Sequence, residues 1–264
     1  MLTDLISYEK IKEFKAAHKI LSEMSYNRVK ITKGYANKTL KVDLSTNTIE
    51  NKPVNQMMKD KFIGGKGFDL YLMWQEVNGN TKWNDPENTI CIASGPLGGT
   101  TSYPGSGKSI ATSISPLTQS VVDCNVGGFF GPFLKCSGWD AIALTGKASE
   151  DVIIFIDGEN CKVTIETAPF EEINAHILSE QLTRMYARNE IDQRNISVVS
   201  AGRAAENTFF GVLNFSWYDF RRETSRIKQA GRGGIGTVFR DKKIKAVVAK
   251  CPYWRPKWSI TLND

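Results

Sequence analysis

The sequence predicts a β-rich α+β domain made of two related lobes, and three observations carry that expectation. Short alternating or wholly apolar stretches recur along the chain between glycine-containing turns, which is the pattern of strands. Residues 173–188 read as a helix that leads to a buried strand (196–200), a Gly202 loop and a β-like stretch (209–214). This echoes an earlier order of helix (68–77), strand (89–93), glycine–proline loop and strand (109–115). No low-complexity linker separates the halves, and 264 residues with 41% hydrophobic side chains suffice for one large core.

In chain order, Ile11, Phe14, His18, Leu21 and Met24 recur at three- and four-residue spacing and predict an amphipathic helix over residues 8–24. Residues 1–34 therefore read as a helical arm ahead of the main domain (35–250), packed either on that domain or on a partner. Residues 39–44 alternate as a strand, and Ser45-Thr46-Asn47 turns into another. Gly64-Gly65-Lys66-Gly67 opens the helix 68–77, and strand 89–93 runs into Gly95-Pro96-Leu97-Gly98-Gly99. Residues 109–115 are β-like, followed by a Pro116-Leu117-Thr118 turn. Gly127-Gly128-Phe129-Phe130-Gly131 begins a short helix that ends at Lys135. Residues 141–145 and 152–156 are strands, with an Asp157-Gly158 turn and residues 163–165 returning. Residues 219–229 read as a charged helix and 244–249 as a last strand. The tail, 251–264, sets two Trp beside two Pro, a composition suited to docking on another chain.

Charge and composition exclude several classes. The net charge of +6 comes from 34 basic and 28 acidic residues, concentrated only at 240–245, which argues against nucleic acid and admits anionic ligands. No apolar run approaches the roughly 20 residues that cross a bilayer. Cys91, Cys124, Cys136, Cys161 and Cys251 show no zinc or iron–sulfur spacing, and free thiols without a signal peptide predict the cytoplasm. With only His18 and His176, histidine catalysis is scarcely provided for.

The glycine run Ala230-Gly231-Arg232-Gly233-Gly234-Ile235-Gly236 is the strongest single motif, because glycine lets backbone N–H groups approach an anion. Gly231-x-Gly233-x-x-Gly236 matches the dinucleotide fingerprint, but that fingerprint needs a strand before it and a helix after it. The reading above gives a helix before and a strand after, so Rossmann binding is not expected. Pro104-Gly105-Ser106-Gly107-Lys108-Ser109 resembles a phosphate loop, yet position 102 is Ser and residues 110–115 alternate as a strand. Cys124-Asn125-Val126-Gly127-Gly128 and Gly202–Asn207 are each either a ligand-facing loop or a structural turn.

Taken in order, these loops, with Gly138-Trp139-Asp140-Ala141-Ile142, Gly146-Lys147-Ala148 and Lys243-Ile244-Lys245-Ala246, resemble the N-terminal domain of the tungsten-containing aldehyde:ferredoxin oxidoreductases over about residues 35–250. The resemblance implies two pseudo-symmetric, mostly antiparallel sheets with flanking helices, forming a base for a tungsten-bis-pterin cofactor or its molybdenum analogue. It implies a magnesium ion between the pterin phosphates, held by the backbone carbonyls of Asn125 and Gln229. Cofactor-binding positions carried over are Lys66, Lys108, Asn125, Gly127, Gly128, Lys228, Gln229, Ala230, Gly231, Arg232 and Gly233. Lys66, Lys108 and Lys228 replace expected arginines, which keeps the charge and loses the planar fork.

Family members run to about 600 residues, and their helical domains hold the [4Fe–4S] cysteines. The resemblance thus implies a non-catalytic subunit whose partner carries those domains and the cluster. The assembly would oxidise aldehydes and pass electrons to ferredoxin or another carrier. Two alternatives stay open: a subunit of an aromatic acyl-CoA (benzoyl-CoA type) reductase of the same family, or a structural or assembly protein that has lost the cofactor.

Overall fold

The computed structural model describes residues 2–100, 106–169 and 174–251. The chain opens with α1 (Leu2–Leu5), α2 (Tyr8–Ala17) and β1 (Ile20–Ser25). Then come β2 (Lys38–Asp43), β3 (Thr48–Pro53), α3 (Gln56–Phe62), α4 (Lys66–Trp74), β4 (Ile90–Ala93), β5 (Ser109–Ile114), β6 (Val121–Val126), α5 (Phe130–Cys136) and β7 (Ala141–Thr145). The second half holds β8 (Val152–Asp157), β9 (Lys162–Thr167), α6 (Ala175–Tyr186), β10 (Ile196–Ser200), β11 (Leu213–Asp219), β12 (Thr224–Ala230), α7 (Ile235–Asp241) and β13 (Ile244–Lys250). The α+β class is as expected. The Trp/Pro stretch 252–264, Pro104-Gly105 and the start of the helix expected at 173 lie outside the described residues.

Two sheets form, of order β3-β2-β7-β4-β5-β6 and β1-β9-β8-β13-β10-β11-β12. Without β1, they repeat one plan. In the first, β2 makes a hairpin with β3, runs parallel to β7, and β7, β4, β5 and β6 then alternate antiparallel. In the second, β8 makes a hairpin with β9, runs parallel to β13, and β13, β10, β11 and β12 alternate antiparallel. The helix before the middle strands (α4, α6) and the one before the last strand (α5, α7) correspond as well. The duplication expected from the order of elements is therefore complete in topology.

Between the sheets lie α5 and α7. Phe130–Lys135 and Ile235–Arg240 are buried without a break, as expected of helices with no solvent-facing stripe. Each crosses over: α5 packs on β10, β11 and β13 of the second sheet, and α7 reaches β4 and β5 of the first. Phe130, Phe133, Leu134, Ile235, Val238 and Phe239 join apolar residues of both sheets in the largest core cluster.

Three sequence expectations are corrected. The helix over 8–24 stops at Ala17, and residues 20–25 become β1, an outer strand on β9 that exposes Ile20 and Leu21. Of the two placements for the arm, it takes its own domain: Ile11 and Phe14 pack with Leu178 and Leu182 of α6. Residues 219–229 are not a helix but the end of β11, a turn and β12, whose charged side chains suit an edge strand. The glycine run is followed by α7 rather than a strand. The β-branched, apolar sequence of α7 suggests a strand, but burial between two sheets overrides that weak propensity.

Buried cations brace this core. Lys242 is fully buried and donates to the carbonyls of Pro86 (3.0 Å) and Gly146 (2.9 Å), and burial pushes its pKa down to about 7. Lys135, likewise fully buried, donates to the Gly95 carbonyl and is pushed down to about 8. Below pH 7 both folded and unfolded chains protonate Lys242; above it the folded chain alone sheds the proton, so stability rises with pH until the unfolded lysine titrates near 10.5. Denaturant unfolding between pH 7 and 9.5 should show wild type gaining stability relative to Lys242→Met. A pH-independent difference would contradict this.

Candidate functional site

β6 and β12 are the outermost strands of their sheets, and they meet. An edge strand leaves alternate backbone N–H and C=O groups without ladder partners, so two facing edges offer backbone ligands to anything bound between them. Asn125 stands opposite Ile110, the second residue of β5, and Gln229 opposite Asn214, the second residue of β11. The two positions therefore correspond within the duplicated plan. Both side chains are exposed.

The glycine loops follow these strands and wrap each other. A Cβ on Gly127 would lie 3.9 Å from Lys228 Cγ, so the Lys228 chain passes over the first loop. Gly128, at φ +110°, lies against the Phe215 and Ser216 carbonyls, and a Cβ on Gly107 would come within 2.7 Å of the Gly128 oxygen. Lys108 is thereby brought beside the same loop, where it is exposed. Gly233, at φ +72°, fits only because it lacks a Cβ, which would stand 2.5 Å from Val122 Cγ2 on β6. Gly231 faces open space, and Arg232 beside it is exposed.

Lys66 opens α4 and reaches Asp123 of β6, Nζ to Oδ1 at 2.6 Å. The structure thus gathers Lys66, Lys108, Asn125, Gly127, Gly128, Lys228, Gln229, Gly231, Arg232 and Gly233 about the β6–β12 junction. Ala230 differs: its side chain is fully buried opposite Leu213, leaving only its backbone to a ligand. In charge and backbone access, the gathered residues fit a polyanion.

Sequence reasoning missed several neighbours. Phe129 meets Trp217 edge-on at 5.8 Å, and the Arg226 guanidinium lies over Trp217 at 5.7 Å. Phe129 directly follows the glycine pair and was legible there; Trp217 and Arg226 become neighbours only through the β11–β12 register. Asp123 is 57 residues from Lys66, and no local signal joins them. Asp69, fully buried on α4, accepts a bond from Thr112 Oγ1 at 3.2 Å while its Oδ1 lacks a partner. Burial raises its pKa well above the usual carboxyl range. The glycine run now has a strand before it and a helix after it, yet it is no Rossmann turn. β12 and β13 are antiparallel and separated by two strands, whereas that motif joins parallel strands.

Residues 39–251 match the sequence profile of the aldehyde ferredoxin oxidoreductase N-terminal domain. The chain belongs to the aldehyde ferredoxin oxidoreductase family. It is 35% identical over 219 residues to the tungsten-containing aldehyde ferredoxin oxidoreductase of Pyrococcus horikoshii, covering 82% of this chain and 33% of that protein. The WOR-like subunit of an aliphatic sulfonate oxidoreductase from Pyrococcus furiosus is 29% identical over 227 residues, 82% of this chain and 34% of that one. Among solved structures, the active site complex BamBC of benzoyl coenzyme A reductase with 1,5-dienoyl-CoA superimposes with a TM-score of 0.70. That match has 29% identity and spans 83% of this chain and 31% of the other. The chain spans about a third of the length of these family relatives. Among the described residues no helix is long and apolar enough to cross a membrane, and no cluster of three or more His, Cys, Asp or Glu could hold a metal.

Two glycines separate steric need from open access. Gly233→Ala should cost about 1–3 kcal/mol, through its left-handed backbone and the Val122 clash. Gly231→Ala, which meets nothing, should stay within about 0.5 kcal/mol of wild type. Thermal melts of both variants decide this, and equal losses would contradict the loop geometry.

Proposed function

We infer that this chain is the cofactor base of a tungstopterin oxidoreductase, in which the β6–β12 junction holds the phosphate-bearing side of a bis-pterin cofactor. The observation that carries this reading is the correspondence of Asn125 and Gln229. They occupy the same register in two copies of one topology, on two edge strands that meet. A ligand with two similar halves is matched by a site with two similar halves. Exposed Lys66, Lys108, Lys228 and Arg232 supply charge for its phosphates, and the edge carbonyls of Asn125 and Gln229 are suited to a magnesium ion.

When bound, the tungsten or molybdenum centre would supply two-electron exchange with the substrate, aldehyde oxidation being the leading reaction. This chain's residues bind and orient. Lys228 crosses the first glycine loop while belonging to the second, so it ties the two halves of the site together. Asp123 holds Lys66 until an anion competes for it. Lysines in place of arginines bind phosphate as point charges rather than in paired bonds. We assign the family's helical domains, the [4Fe–4S] cluster and the contact with ferredoxin to a second subunit. The match to BamBC supports a second reading, a subunit acting on an aromatic acyl-CoA.

Protein purified from its native host should contain tungsten or molybdenum and pterin, together with a second polypeptide. Absence of both metal and pterin would overturn the cofactor reading; a metal-containing preparation with no second chain would overturn the subunit reading alone. In a Lys108→Ala/Lys228→Ala variant, cofactor per chain should fall about tenfold or more, since a charge-assisted bond contributes about 1.5–3 kcal/mol. Undiminished metal and pterin would remove both lysines from the site.

A further inference from the structure

Helix α2 builds a second lined space. Tyr8, Ile11, Lys12 and Lys15 stand at i, i+3, i+4 and i+7, one face of α2. Across from them stand Arg184, in the last turn of α6, and Ala187 and Arg188, in the chain just past its end. The α2 face and these residues border a cleft of about 320 Å³, within the range of small-ligand pockets. None of these residues lies in β6, β12 or the glycine loops, so the cleft does not depend on the cofactor reading.

Its chemistry is uneven in an informative way. The cleft has an apolar side in Ile11 and Ala187, both buried. Four cations line it against one carboxylate, Glu190. Arg184 is engaged by Glu180 at 2.8 Å, and Arg188 by Glu159 at 2.7 Å and Asp192 at 3.2 Å. Lys12 and Lys15 have no anionic partner among the described residues. Gln193, also in the lining, is only 6% exposed, and its Oε1 is buried with no hydrogen-bond donor. A buried acceptor without a donor is costly, so this amide is suited to a group that enters the cleft.

We propose that this cleft binds a small organic anion. A carboxylate or phosphate head meets Lys12 and Lys15, a short apolar body lies on Ile11 and Ala187, and a hydroxyl or amide donor reaches Gln193. The apolar side argues against inorganic anions as the preferred ligand, and the two unpaired lysines argue against neutral ones.

Calorimetric titration of the full chain with 6-hydroxyhexanoate and 6-hydroxyhexyl phosphate tests this, with hexanoate (no hydroxyl) and 1,6-hexanediol (no charge) as comparisons. One saturable site should appear for the hydroxylated anions, the tighter of the two identifying the head group. The diol should bind at least about tenfold more weakly, and Lys12→Ala/Lys15→Ala should weaken the anions by a similar factor. Gln193→Leu should erase the preference for 6-hydroxyhexanoate over hexanoate. No saturable binding at millimolar concentration would overturn the proposal, as would equal binding of diol and anions or affinity unchanged in the lysine double variant.

Discussion

The placement of two short buried helices governs this molecule. α5 and α7 each leave one copy of the repeated plan and pack against the sheet of the other, so neither sheet has a complete core alone. Because each helix follows directly on an edge strand, the crossing draws the ends of β6 and β12 together. The connections between strand and helix are only three and four residues long (127–129 and 231–234), and glycine fills most of them. Site and core are in this sense one construction: the buried helices aim the loops, and the loops carry the glycines that close crossing requires.

The same constraint explains where charge is tolerated. Lys135 and Lys242, at the C-terminal ends of α5 and α7, turn inward and bond backbone carbonyls, at the expense of depressed pKa values. Arg240, also buried, is held by Asp151 at 2.9 Å, Glu206 at 2.7 Å and the Ile244 carbonyl at 2.9 Å. At the N-terminal ends of these helices the pattern inverts, and the cations around the loops are exposed. Positive charge is thus satisfied internally at one end of each helix and left open at the other.

Much of this was legible in the sequence. The repeat was visible as an order of elements, and the glycine loops as motifs, because backbone geometry there leaves a residue-type signature. Gly233 needs a left-handed backbone and open space beside Val122, and only glycine supplies both. β12 and α7 were not legible. An edge strand can be as charged as a helix, and a helix enclosed by sheets can be as β-branched as a strand. Pairings such as Lys66 with Asp123, or Trp217 with Arg226, depend on sheet assembly and have no local trace. The end of the arm follows the same rule: Leu21 and Met24 fit helical spacing, but residues 20–25 pair with β9, a strand about 140 residues away that local spacing does not reveal.

That two loops from two halves of the chain form one anion site is the central claim. Pyrophosphate titrated into isotope-labelled protein, followed at the backbone amides of Gly127, Gly128, Gly231 and Gly233, tests it directly. All four resonances should move along one saturation curve with a single affinity. Loops that saturate at different concentrations, or one loop that stays silent while the other moves, would contradict the account.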